Sequence, residues 1–104
     1  MSDSADFRVL KESLLAASRG PFFPDWEFGT LFGLQRAEVE AIAEAFSPST
    51  TISGDVALAV HNAVNNLQGY PHQQEAAWHQ WLSVTPSELK AVHNRIAGSL
   101  GREA

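Results

Sequence analysis

The chain has 104 residues, 44% of them hydrophobic and 10% aromatic, which suits one domain with one sizeable core. Its formal net charge is −5, and its seven cations (Arg8, Lys11, Arg19, Arg36, Lys90, Arg95, Arg102) never form a run, so a nucleic-acid partner is not expected. The absence of cysteine excludes disulfides, thiolate nucleophiles and cysteine-ligated zinc, and tilts the expected location toward the reducing cytoplasm.

The first 20 residues show no basic start followed by an apolar run, so no signal peptide is read there. The apolar stretches are too short to span a bilayer, and no membrane partner is expected. No segment alternates apolar and polar residues as a half-buried strand does. Helical spacing recurs instead.

The first helix is expected from about Ala5 to Ser18, with Phe7, Leu10, Leu14 and Ala17 on one face. Gly20 and Pro21 end it. Pro21-Phe22-Phe23-Pro24 reads as a stiff aromatic connector. Asp25 reads as the N-cap of a short helix, Trp26 to Phe32, which Gly33 stops in the left-handed conformation. A third helix spans about Arg36 to Phe46, with Gln35 and Glu38 as a capping box and Val39, Ile42, Ala43 and Phe46 facing inward. On its other side Ala37, Ala41 and Ala45 form a small-residue strip open to close approach by another helix.

Ser47 to Thr51 reads as a loop. Ser53 and Asp55 start a fourth helix that runs to Gln68, with Gly69 as its C′ residue. Pro71 suits the first turn of a fifth helix ending near Leu82. Thr85-Pro86-Ser87-Glu88 is the clearest helix start in the chain: an N-cap Thr, a Pro at N1 and a Glu at N3. The last helix turns Leu89, Val92, Ile96 and Leu100 inward and frays at Gly98 or Gly101.

The fourth helix concentrates the unusual residues. Val56, Val60, Ala63, Val64 and Leu67 share one face, and Leu58 lies nearly opposite at roughly 100° per residue. Asn62 and Asn66 flank one side of the apolar face, and His61 and Asn65 flank the other. Amides in a helix interior cost helix propensity. Buried without partners, they would cost about 1–3 kcal/mol each. Either this helix runs through the bundle, with its amides bonded to loop backbone near Pro21–Pro24 or Pro48–Thr51, or its outer side meets a second molecule through Leu58. As a ligand site the same stretch nominates His61, Asn62, Asn65, Asn66 and Tyr70.

A fifth helix starting at Pro71 would align His72, Glu75 and His79 at i, i+3 and i+7, with His61 across the turn. Imidazoles and a carboxylate at that spacing can ligate Zn²⁺ or Fe. Yet no His-Glu-x-x-His occurs, nor the repeated Glu-x-x-His of di-iron bundles, and a polar outer face accounts for the same residues. His93 alone on the edge of the last helix reads as a packed residue rather than a catalyst. The serines sit at caps and loops without a base or an orienting carboxylate. Asp25 and Glu27 diverge at i, i+2, which does not suit a glycosidase pair. There is no Gly-rich phosphate loop.

Trp26-Glu27-Phe28-Gly29-Thr30-Leu31-Phe32-Gly33 and Asn65-Asn66-Leu67-Gln68-Gly69-Tyr70-Pro71-His72 resemble a family of small uncharacterised bacterial proteins, over about the middle two-thirds of the chain. The resemblance implies a bacterial, cytoplasmic, helical domain and brings no activity.

The expected fold is therefore all-α: one domain over 1–104, an irregular, orthogonal bundle of five to six helices. The expected function is a non-catalytic interaction module that binds a protein, a second copy included, through Leu58, Trp26, Trp78 and Trp81, with no cofactor. The alternative is a small-molecule or metal site between the helices around 55–68 and 71–82.

Overall fold

Helix α1 (Ser2–Arg19) is the hub of an all-α bundle and packs against four of the five other α-helices. The computed structural model describes residues 2–70 and 73–103, with side chains over 6–70 and 73–96, and no strand occurs among them. Leu10, Leu14, Ala16 and Ala17 are fully buried on α1, together with Ser13. Ser13 and Ser18 return their hydroxyls to the helix's own carbonyls, Leu10 O at 2.7 Å and Leu14 O at 2.9 Å, so neither strands a polar group in the core.

Gly20 turns the chain out of α1 where no side chain fits. A Cβ there would stand 2.5 Å from the Ala16 carbonyl oxygen and 3.0 Å from the Phe22 ring. The connector then inserts Phe22 and Phe23 into the core. Helix α2 (Asp25–Phe32) follows, one residue longer at its start than expected. Asp25 is its first residue and not its cap, because the Arg36 guanidinium 2.8 Å away holds its carboxylate. Phe28 and Phe32 stack at 4.3 Å, one turn apart, and Phe23 meets Phe32 edge-on at 5.4 Å. Gly33 closes the helix at φ 71°, donating to Gly29 O at 2.8 Å.

Helix α3 (Arg36–Ala45) carries the Gln35–Glu38 capping box. Val39 and Ala43 are fully buried, while the Ala37, Ala41, Ala45 strip stays exposed and receives no helix. Helix α4 (Gly54–Gly69) turns Ala59, Val60, Ala63, Val64 and Leu67 into the core. Gly69 is the last helical residue, not a left-handed C′ stop; Tyr70 ends the helix in an extended conformation.

The expected helix from Pro71 to Leu82 does not form over the described part of that range. Pro71 and His72 lie outside the described residues. Gln73 then takes a left-handed φ of 58°, a 3-10 turn covers Glu75–Ala77, and helix α5 is a single turn, Trp78–Trp81. The physical reason is Trp78. Its indole is 5% exposed, meets the Phe22 ring edge-on at 6.2 Å and donates to Val84 O at 2.7 Å. These core contacts fold the segment back instead of letting a straight helix lie along the surface.

Helix α6 (Pro86–Glu103) starts as expected. Thr85 N–H donates to the Glu88 carboxylate at 2.8 Å and Glu88 N–H donates to Thr85 Oγ1 at 3.2 Å. The Thr85 backbone N–H first, and the Thr85 hydroxyl second, hold the Glu88 carboxyl below its usual range. The helix continues through Gly98 and Gly101. Leu89 and Val92 face the core, with Ile96 packed at its edge; the Leu100 side chain lies outside those described. Among the described residues no helix is long and apolar enough to cross a membrane.

Candidate functional site

The amides of α4 find partners, but not in the loops where they were expected. Asn62 Nδ2 donates to Phe32 O at 2.8 Å; Asn66 Nδ2 donates to Leu31 O at 3.1 Å and to Asn62 O at 2.9 Å. Phe32 and Leu31 end α2, where helical carbonyls have no partner within their own helix. One turn further along α4, the Tyr70 hydroxyl donates to the Glu27 carboxylate in the first turn of α2. That bond holds the Tyr70 hydroxyl above its ordinary pKa. Asn62, Asn66 and Tyr70 thus bind α2 to α4 at both ends, and their polar atoms are spent on that joint. Asn65 is exposed beside it.

Arg36, which no sequence pattern singled out, fastens the other side of α2. It donates to Phe23 O at 2.8 Å, to Ser18 O at 3.1 Å and to Ala17 O at 3.3 Å. It also lies over the Phe28 ring at 4.5 Å. The available signal was its place at the first position of a helix, where a cation opposes the dipole and needs another reason to be there.

With α2 held so firmly, its outer face becomes the notable surface. Trp26, Gly29, Thr30 and Gly33 follow i, i+3, i+4, i+7 spacing and are all exposed. Trp26 stands 79% exposed, and no atom lies within 4 Å of a Cβ built at Gly29. Leu58 of α4, 40% exposed, lies at the far end of this strip, with a methyl 3.4 Å from a Cβ built at Gly33. The strip therefore runs from a projecting indole, over a floor of glycine, to a leucine. Two of the four residues expected at an interface lie on it. Trp81 is partly buried against the core, and Trp78 is a core residue and not a surface one.

The metal arrangement loses its premise. Glu75 opens a 3-10 turn and His79 sits in α5, so they are not two positions of one continuous helix; His72 lies outside the described residues. No group of three or more His, Cys, Asp or Glu able to hold a metal occurs among the described residues. His61 turns the other way, to α6. Its Nδ1 lies 2.6 Å from His93 Nε2, with ring centroids 4.8 Å apart, so the nitrogens meet nearly head-on. Burial first, and the His61 charge second, hold His93 below the usual imidazole pKa.

An open cleft of about 300 Å³ lies beyond the C-terminal end of α4, with Leu67, Gln68, Tyr70, Trp78 and Lys90 on its walls. Of the described residues nominated for ligand or metal binding, only Tyr70 and Glu75 line it. No family model, curated protein or solved structure matches the chain.

Proposed function

We propose that this protein is a non-catalytic interaction module that pairs with a second copy of itself through the strip from Trp26 to Leu58. The carrying observation is the 79% exposure of Trp26 on a helix that is otherwise held rigidly from beneath. A lone exposed apolar residue needs no explanation. An indole beside a glycine floor and a leucine is a different case, because knob and socket stand on the same face. A two-fold pairing of such strips lays each Trp26 over the partner's glycines and Leu58, the self-complementarity an isologous interface needs. Buried tryptophans at the centre of an interface carry much of its energy.

The test is light scattering over a concentration series. Wild type is expected to rise from monomer to dimer mass, while Trp26→Ala and Leu58→Asp stay monomeric with unchanged circular dichroism. A wild-type monomer at every concentration defeats the reading.

A further inference from the structure

We propose that His61 and His93 form an acid-sensitive latch, which holds α6 on α4 at neutral pH and releases it when both rings are protonated. The two imidazoles come from different helices and meet nitrogen to nitrogen at 2.6 Å. Such a bond needs one N–H and one lone pair. Two neutral rings supply that, and so does one neutral ring with one charged. Two charged rings do not: each nitrogen then carries a proton, and like charges face each other across a half-buried contact. The pair can hold one proton with the bond intact and a second only by breaking it.

Among the described carboxylates, none is placed to offset the second charge. Among the described residues neither ring has an ion-pair partner. On α1, Asp6 is held by Arg95 and Glu12 accepts from Ser83. On α2, Asp25 pairs with Arg36 and Glu27 with Tyr70. On α3, Glu40 and Glu44 pair with Arg19, and Glu38 closes its own cap. On α6 itself, Glu88 closes the Thr85 cap, and Lys90, one turn before His93, is a cation. Asp55 lies six residues before His61 along α4, roughly 9 Å down the axis. Glu75 lines the cleft beyond the other end of that helix.

The sign follows from the lowered His93 value. The unfolded chain binds the proton more readily than the folded one, so the latch contributes in full above the ordinary imidazole pKa of about 6.5. Its contribution is lost as pH falls through the lowered value. Glu and Asp stay largely ionised at pH 5, so a comparison of pH 7.5 with pH 5.0 isolates the imidazoles.

Hydrogen exchange read by mass spectrometry tests this, with each peptide referenced to the unfolded chain at the same pH. In wild type, α6 peptides are expected to lose protection relative to α3 peptides by about threefold or more at pH 5.0. In His93→Gln, whose amide can still bond to a protonated or neutral His61, they are expected to keep it. Equal loss in both proteins, or no loss in wild type, overturns the latch. If the variant fails to fold, ring resonances of wild type decide: two separated steps support the latch, and joint titration at the ordinary value overturns it.

Discussion

A guanidinium at the first position of a helix faces the positive end of that helix's dipole, and Arg36 sits in that unfavourable place. Its compensation is complete only in three dimensions: carbonyls from the end of α1 and from the connector, the Asp25 carboxylate and the Phe28 ring. A fork of fixed N–H donors can serve these together, and a lysine ammonium cannot. Arg36→Ala is therefore expected to lower the unfolding free energy by about 2 kcal/mol, and Arg36→Lys to recover little of it. Urea denaturation measures both; full recovery by lysine would mean that charge alone matters there. The α4 amides teach a related lesson. Their composition said that Asn62 and Asn66 needed partners, because unpaired amides are costly. It did not say which, because the carbonyls of Leu31 and Phe32 are free only once α2 ends at Gly33 beside α4.

Helix ends show where local signals suffice and where they fail. The starts at Thr85 and Gln35 were legible because every partner lies within three residues. The stop at Gly33 was legible because its partner, the Gly29 carbonyl, is only four residues back. Gly69 looked equivalent to Gly33, but α4 is ended by Tyr70, whose hydroxyl reaches Glu27, 43 residues away. The segment after it was unreadable in kind: Pro71 favours a helix start locally, whereas Trp78 is claimed by Phe22 and Val84. The two glycines consequently respond in opposite directions to alanine. Gly33→Ala forces a side chain to φ 71° and is expected to cost about 1 kcal/mol. Gly69→Ala meets no atom within 4 Å and needs no positive φ, so it is expected to stabilise by several tenths of a kcal/mol, about half the interior helix difference. Thermal unfolding of the pair separates them, and a shared direction would contradict the assigned ends.

At the scale of the molecule, one polar contact ties the first helix to the last. Arg95 grips Asp6 with two bonds, 2.8 and 3.2 Å, across 89 residues of sequence. The partners are unequally placed: the Asp6 side chain is 10% exposed and that of Arg95 is 54% exposed. Solvent screens the attraction from the arginine side, so the pair itself adds modestly. What weighs is the carboxylate, which would be left buried without a donor. Arg95→Met is expected to cost about 1–3 kcal/mol by stranding Asp6. Adding Asp6→Asn to it removes the stranded charge, and the double variant is expected within about 1 kcal/mol of wild type. Because α1 also packs against α3, α4 and α5, both variants should still unfold in one transition by fluorescence and circular dichroism alike. A double variant no better than Arg95→Met alone would place the cost in the lost arginine stem. Separate transitions would instead show that α6 is a unit the hub helix does not integrate.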